Sequence, residues 1–229
     1  MTPEQFGDKV GVFYERIHLL LDNCFDAEPQ IANRTVGEET FRAALKVSVA
    51  LASAHRPHAS AELVVSYRLG LDRTKQHLAI DSSQFSIRLL HSGKPVPVVR
   101  YEYEREPRTS PSAHLHVHAD SVPLALSLER NGRGASGYEQ SKLHFPTGGH
   151  RFRACIEDVI QFAVEELGFI GHEGWKAHVE QGRAEFRRKQ AETVIRQHHC
   201  LAAETLRTLG YTVSGAPAAD SLPSARDDW

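Results

Sequence analysis

Three histidines alternate with apolar residues in segment 114–118, whose sequence is His-Leu-His-Val-His. In an extended strand, alternate side chains point to opposite faces of the sheet, so the three imidazoles would share one face. At ~3.3 Å rise per residue, neighbouring rings of the row would be about 7 Å apart. We expect this face to be open to solvent, and Leu115 and Val117 to enter the core. Such a row can transfer protons near neutral pH, contact phosphate or bind a metal ion.

The metal hypothesis starts from the pair His114 and His116. Two histidines at i and i+2 on a strand can hold one ion, and zinc or non-haem iron suits imidazole ligands. A third ligand would come from elsewhere, and Asp120, His144 and His150 lie nearby in the sequence. No glutamate lies at the offset of a second cupin-type motif, and a row at i, i+2 and i+4 is too spread for one ion. The first expectation is therefore a site without a metal cofactor, and zinc or iron at this pair is the alternative.

A second segment, residues 99–104, suggests acid–base chemistry. If it forms a strand, Arg100 and Glu102 share one face, and pairing with the histidine strand would bring imidazole, guanidinium and carboxylate groups together. A metal-independent ribonuclease needs these groups: a base for the 2′-hydroxyl, an acid for the leaving 5′-oxygen and a cation for the phosphorane charge. A solvated strand pair with complementary charges is the structural alternative. The candidate catalytic residues are His114, His116, His118, Arg100 and Glu102.

Basic residues follow the histidine strand. Arg151 and Arg153 lie near the start of a predicted helix, whose free N–H groups attract anions. The glycine-rich stretch 131–137 lacks the Gly-Lys-Ser/Thr ending of a P-loop and is interpreted as a surface loop. An ordinary positive surface is the alternative for the basic residues. The candidate phosphate-binding residues are Arg151, Arg153, His144 and His150.

Amphipathic and alternating patterns predict the elements that would position these residues. Thr2 as N-cap, Pro3 in the first turn and Gln5 as capping-box partner predict a helix that begins at Pro3 and ends near Asn23. Its apolar stripe recurs every three or four residues and comprises Phe6, Val10, Phe13, Ile17, Leu20 and Cys24.

Short alternating runs after this helix predict an antiparallel meander of five to seven strands. Residues 26–39 are polar and are expected to form turns. The predicted strands cover residues 45–51, 63–71, 77–80, 85–90, 96–103, 114–119 and 124–128, with a turn at Asp81-Ser82-Ser83; the first run could also be scored as a helix.

One helix is expected to pack on this sheet, followed by a helical extension. Its apolar face would comprise Phe152, Cys155, Ile156, Val159, Ile160, Ala163 and Leu167, with Gly168 ending it in a left-handed conformation. From Trp175 to Leu209 the pattern is helical with a thin apolar stripe, which suits a partner or a second copy of the chain. The expected organisation is an α+β core domain at 1–170, a helical extension at 171–213 and a disordered tail at 214–229.

Composition limits the class of protein. The chain has 229 residues, 41% apolar and 24% charged, with a formal net charge of −2 that does not favour nucleic acid as a whole. Three distant cysteines without a Cys-x-x-Cys pair argue against a zinc ribbon or a disulfide framework. No apolar run approaches the ~18 residues of a membrane span, and the first residues do not resemble a secretory signal. We therefore expect a cytoplasmic protein that has no contact with a membrane.

The order of motifs over residues 62–168 resembles the TumE-type toxins of bacterial toxin–antitoxin pairs. The matching parts are Tyr67-Arg68, then Arg100-Tyr101-Glu102, then the His-x-His strand, then an aromatic-led helix at 152–162. The resemblance implies a small ribonuclease-like α+β fold, RNA as substrate and an antitoxin-like protein partner. The site positions that it carries over are Arg100, His116 and His118, with His114 as the alternative register.

Three hypotheses follow from the sequence. The first is a toxin-like endoribonuclease that cleaves phosphodiesters with the histidine strand. The second is a metal-dependent enzyme with a His-x-His site. The third is a non-catalytic interaction protein that forms a homo-oligomer or binds a partner through its C-terminal helices.

Overall fold

The computed structural model describes residues 1–91, 94–119, 121–130 and 142–215 of the chain. Seven strands form one antiparallel sheet in sequence order, so that each strand pairs with the strands before and after it. The strands are β1 Gln30–Gly37, β2 Arg42–Ser53, β3 Arg56–Leu71, β4 Leu78–His91, β5 Lys94–Glu104, β6 Ala113–Val117 and β7 Phe145–Pro146. The helices are α1 Pro3–Cys24, α2 Val122–Arg130, α3 Ile156–Gln161 (continued by a π-turn at Phe162–Glu166), α4 Trp175–Gln197 and α5 His199–Thr208. The predicted α+β fold with an N-terminal helix and a C-terminal helical region is confirmed.

Helix α1 begins as its sequence predicts. The Thr2 hydroxyl accepts a hydrogen bond from the Gln5 backbone N–H, and the Gln5 side chain accepts one from the Thr2 N–H. This reciprocal capping box satisfies donors that the first helical turn would leave unpaired. The buried face of α1 then lies on the sheet and comprises Phe6, Val10, Tyr14, Ile17, Leu20, Leu21 and Cys24.

One face of the sheet carries the hydrophobic core. Odd-numbered residues of β2 and β3 point to this face, as the register that pairs Val47 with Val65 and Leu45 with Tyr67 requires. Helices α1 and α3 cover it, and Val179 of α4 belongs to the same core. We call this side the core face. The opposite side, which carries the even-numbered residues of β5 and β6, is called the polar face.

Three predicted elements differ from those observed. Residues 30–37, expected as turns, form the exposed edge strand β1, because their backbone pairs with β2 even though no side chain is deeply buried. Asp81-Ser82-Ser83, expected as a turn, lies inside β4, and the register shifts there as at a β-bulge. Residues 124–128, expected as a strand, belong to α2, where Leu, Ala and Glu favour a helix and Pro123 suits its first turn.

The helix before residue 168 is shorter than predicted. It begins at Ile156 rather than near Phe152, whose side chain is exposed and lies outside the core. Gly168 has a φ of +74° and takes the predicted left-handed conformation after the π-turn. The segment 175–209 is helical as expected, with a break at His198. The predicted loop at 131–137, Asp120 and most of the predicted tail at 214–229 lie outside the described residues.

Helix α4 packs closely on the core domain at Gly182. Glu157 is buried there, and its carboxylate lies 3.3 Å from Nη2 of Arg16. The same guanidinium group donates to the carbonyl oxygen of Gly182, so α1, α3 and α4 meet at one point. Within the described residues, no helix is long and apolar enough to cross a membrane.

Replacing Gly182 by alanine should destabilise the fold, whereas the same change at Gly11 should not. A Cβ at Gly182 would lie 2.5 Å from Oε1 of Glu157, while a Cβ at Gly11 meets nothing within 4 Å. Overpacking costs about 1–3 kcal/mol, which outweighs the ~0.5–1 kcal/mol that alanine gains over glycine in a helix. Urea denaturation should therefore show a lower free energy of unfolding for Gly182→Ala and an equal or higher one for Gly11→Ala. Equal effects of the two changes would contradict this packing.

Candidate metal centre

The pairing of β5 with β6 brings the predicted catalytic residues together. In the antiparallel register, Glu102 lies opposite His114 and Arg100 lies opposite His116. Directly opposed residues share a face of the sheet, with Cβ atoms about 4.5–5.5 Å apart. The strands therefore place these four side chains on the polar face.

The histidines on this face are buried, contrary to the expected solvent exposure. The exposed fraction is 3% for His114 and 4% for His116, whereas Val117 on the core face is 37% exposed. Two features at the end of the sheet account for the burial. Strand β7 pairs with β6 at His114 and Leu115 and so covers the edge of the sheet. His144, which comes just before β7, places its ring against the rings of His114 and His116.

Three imidazoles converge in this cluster. The ring centroids are 5.0 Å apart for His114 and His116, 4.6 Å for His114 and His144, and 4.8 Å for His116 and His144. One nitrogen atom from each ring lies within 4.8 Å of the other two. His114 and His116 are buried and His144 is exposed, so one side of the cluster faces solvent. We call these three residues the histidine cluster.

The carboxylate of Glu102 lies against this cluster. Its Oε2 atom is 3.2 Å from Nε2 of His114 and 3.3 Å from Nε2 of His116. Its other oxygen, Oε1, is 2.8 Å from Nε of Arg100. Arg100 and Glu102 thus form a close ion pair, and Oε2 is the carboxylate oxygen beside the two buried rings.

The tautomer of His114 determines which of its ring nitrogens faces Glu102. Its Nδ1 is 2.8 Å from the carbonyl oxygen of Pro111, and since a carbonyl only accepts, Nδ1 must carry the proton. In the neutral ring, Nε2 then presents a lone pair to the Glu102 carboxylate. Two electron-rich atoms 3.2 Å apart in a buried site need a proton or a cation between them.

The carboxylate of Glu102 lies beside the three imidazoles rather than among them. The two contacts of Oε2, at 3.2 and 3.3 Å, are hydrogen-bond distances, so this oxygen can accept a proton at the edge of the histidine cluster. The bond from His114 Nδ1 to a backbone carbonyl is also the usual outer support of a metal-bound histidine.

The electrostatic surroundings keep two nearby imidazoles neutral. Although the His144 side chain is exposed at the surface, partial desolvation of its ring lowers its pKa, the neighbouring His114 lowers it further, and Glu102 opposes these effects. Burial and the charge of Arg100 lower the pKa of His118. A neutral imidazole retains the lone pair that a metal ion requires. His118 is not part of the histidine cluster, and its buried Nε2 has no hydrogen-bond partner among the described residues.

The remaining predicted phosphate-binding residues lie on the other side of the sheet. Tyr103 shares the core face with Val99, and its ring lies 3.9 Å from the guanidinium carbon of Arg153. The Tyr103 hydroxyl is 3.1 Å from Nδ1 of His150. Arg151 donates to Oε1 of Gln190 in α4. Of the four candidates only His144 joins the histidine strand, because the chain crosses to the core face after β7.

The part of the site that sequence analysis missed is the role of Glu102 beside His144. The sequence predicts Glu102 as a catalytic carboxylate and His144 as a phosphate contact or third ligand. Glu102 comes before the histidines in the chain and reaches them across the strand pair, an arrangement outside the sequence offsets of the cupin-type motif. An alternating strand with a carboxylate one hairpin earlier is the signal that would have found it.

The cysteines contribute nothing to this site. All three are free thiols, and Cys24 and Cys155 are buried. Burial, reinforced by the charge of Glu157, raises the pKa of Cys24 to about 12, and the same two causes raise the pKa of Cys155 strongly. Because the thiolate is the nucleophile and the ligand, neither thiol is poised for either role.

The comparisons with known proteins leave the site to be judged on its own geometry. No family model matches the chain, and neither a curated protein nor a solved structure is similar to it. The resemblance to TumE-type toxins is untested by them and stays a prediction.

Alkylation of the folded protein should distinguish the three thiols. At pH ~8 the ordinary thiol is partly ionised, so we expect iodoacetamide to modify the half-exposed Cys200 and to leave Cys24 and Cys155 intact. Mass spectrometry of the intact protein should show one adduct when native and three in guanidinium chloride. Rapid native labelling of Cys155 would contradict the described packing.

Proposed function

We propose that this protein is a metal-dependent enzyme that holds one divalent transition-metal ion, zinc by preference, on His114, His116 and His144. The observation that carries the proposal is the convergence of three imidazole nitrogens within 4.8 Å on a face that also bears a carboxylate. Imidazole is a ligand for zinc, copper, iron and nickel, and a site with nitrogen ligands and without thiolates suits zinc in a catalytic rather than a structural role.

The open side of the cluster supports a catalytic role. Three protein ligands with a free fourth position are typical of catalytic zinc sites, whereas structural sites are closed by four ligands. His144 is exposed, and the Glu102 carboxylate is partly accessible. A bound ion would supply Lewis acidity and lower the pKa of water at that position. Glu102 is then placed to accept a proton from this water, which makes hydrolysis the reaction class.

The metal-independent ribonuclease hypothesis remains a prediction, and the geometry supports it less. An acid and a base must lie on either side of a phosphate, whereas these imidazoles are in contact with one another and two are buried. The cations expected to hold the phosphate, Arg151 and Arg153, are on the core face. RNA stays among the substrates that a metal-dependent hydrolase would be tested on.

Exposed apolar side chains support the prediction of a protein partner. Ile195 in α4, Leu201 in α5, and Leu209 and Tyr211 after it are all exposed. A second copy of the chain, giving a homo-oligomer, or an antitoxin-like protein would cover them. Both partners remain predictions, as does a cytoplasmic location.

Metal analysis of the purified protein tests the ligand set. We expect about one equivalent of zinc in the wild type and its loss in His144→Ala and His116→Ala. Removing a residue that supports a ligand lowers metal affinity about 10–100-fold, and removing a ligand itself should lower it further. His144 is exposed, so its replacement should leave the fold intact.

His118→Ala is the matched control for these variants. It belongs to the same histidine row but lies outside the histidine cluster, so its zinc content should equal that of the wild type. A wild type without bound metal that also fails to bind added zinc, cobalt or iron would refute the proposal. Equal metal loss in His118→Ala and His144→Ala would refute the assigned ligands.

Hydrolysis assays test the catalytic part of the proposal. With a para-nitrophenyl ester, a para-nitrophenyl phosphodiester and RNA as probes, we expect turnover of at least one that chelation abolishes and zinc restores. Glu102→Gln should keep the metal on three histidines and lose about 100-fold in rate, as expected when a general base is removed.

The same assay separates the two enzymatic hypotheses. RNA cleavage that persists after complete chelation would favour the metal-independent ribonuclease. A zinc-loaded protein that turns over none of the three probes would remove the catalytic part and leave a metal-binding protein.

A further inference from the structure

A buried arginine on the core face has no part in the metal centre. Arg153 is 9% exposed, and its guanidinium carbon lies 3.9 Å from the ring centroid of Tyr103 and 5.6 Å from that of Phe186. Its Nη1 donates to the backbone carbonyl of His150. Two aromatic faces and a carbonyl thus hold the guanidinium group in a fixed position.

The charge of Arg153 lacks a carboxylate partner among the described residues. Other arginines nearby are paired: Arg16 with Glu157 at 3.3 Å and Arg183 with Asp158 at 2.7 Å. A guanidinium group stays charged in proteins, and a buried charge is normally paired or bound to a ligand. Burial lowers the pKa of Arg153 because it removes water from the charged guanidinium group. An anion beside this group would compensate for the lost solvation.

A cleft that opens to solvent lies in front of Arg153. It is bounded by α1, the core face of β3 and β4, and the start of α3, and its volume of about 370 Å³ includes the open solvent at its mouth. A neighbouring cleft of about 200 Å³, counted with the open solvent at its mouth, shares Arg153, Ser83 and Phe85 with it and is also lined by Glu102 and His114. The apolar walls of the larger cleft include Phe13, Ile17, Ile80 and Phe85.

Two hydroxyl groups line the same cleft. They belong to Tyr67 and Ser83, which are each 6% exposed. Burial raises the pKa of Tyr67 well above its usual value, so the phenol keeps its proton and can donate. The one carboxylate of the lining, Glu157, is already engaged by Arg16. The cleft therefore offers three polar side chains that can donate to an anion, because Arg153 keeps further N–H groups beyond its bond to the His150 carbonyl.

We infer that this cleft binds a small oxyanion, a carboxylate or phosphate group, with Arg153 as its principal ligand and the hydroxyls of Tyr67 and Ser83 as further donors. A guanidinium group is suited to such planar or tetrahedral anions because it donates two parallel hydrogen bonds. The apolar walls would accommodate a compact organic body attached to the anionic group. The proposed ligands Arg153, Tyr67 and Ser83 are not members of the histidine cluster, so the inference does not rest on the metal centre.

Titration with inorganic phosphate and with benzoate tests the inference. Each anion is added at constant ionic strength with chloride as the background, and binding is followed by calorimetry. We expect saturable binding of at least one anion, weakened about tenfold or more in Arg153→Met, since a charged hydrogen bond is worth about 1.5–3 kcal/mol. Tyr67→Phe keeps the ring packing and should weaken binding less.

Arg151→Met is the matched control. Arg151 is two residues away, binds Gln190 and does not line the cleft, so its variant should bind as the wild type does. Tighter binding of phosphate would identify the ligand as inorganic phosphate or a phosphorylated compound. Tighter binding of benzoate would identify it as an organic acid. If Arg153→Met does not fold, the anion affinities of Tyr67→Phe and Ser83→Ala test the inference instead. Wild-type anion affinity in both variants would overturn it.

Two results would reject the site outright. One is the absence of saturable binding of either anion up to about 10 mM, well above a Kd of ~1 mM. The other is unchanged binding in a folded Arg153→Met. Zinc content is measured in the same variants and should stay at the wild-type level, so failure here is distinguishable from failure of the metal proposal.

Discussion

The register between β5 and β6 is the constraint on which the polar-face site depends. Backbone hydrogen bonds set Glu102 opposite His114 and Arg100 opposite His116. A slip of one residue would send the histidines to the core face and bring Leu115 into their place. The buried Val99 and the half-buried Leu115 on the core face oppose that slip, so hydrophobic burial on one side fixes the polar chemistry on the other.

Burial then changes what the histidines can do. Exposed imidazoles in a row would be independent proton carriers with ordinary solvation. Packed against one another and against Glu102, His114 and His116 have lost water, and their nitrogens and the carboxylate must share protons or a cation. The carbonyl of Pro111 fixes one tautomer of His114, and the charge of Arg100 is paired with the carboxylate. In the neutral ring, the tautomer that Pro111 selects turns the lone pair of Nε2 toward Glu102.

Sequence patterns predicted most of the fold because the responsible interactions are local. The capping box at Thr2 and the left-handed Gly168 depend on a few neighbouring residues, and both were correctly placed. The exposed strand β1 was missed because its order comes from pairing with β2 rather than from an alternating apolar pattern. The burial of the histidines was missed for a related reason. It arises from β7, a two-residue strand whose partner is about 30 residues earlier in the chain, and no local pattern indicates such a contact.

The sheet also separates charges that would interfere with one another. A divalent ion among the three histidines would be repelled by a guanidinium group at close range, and Arg100, the nearest one, is already engaged by the Glu102 carboxylate. Arg153 lies across the sheet, where its charge meets aromatic rings and the polar groups of the cleft. Sequence proximity of Arg153 to His144 suggested a single phosphate site, but the return of the chain from β7 to α3 places the two on opposite faces. The proposed cation site and the proposed anion site can therefore coexist within one small domain, because their principal ligands lie on opposite faces of one sheet.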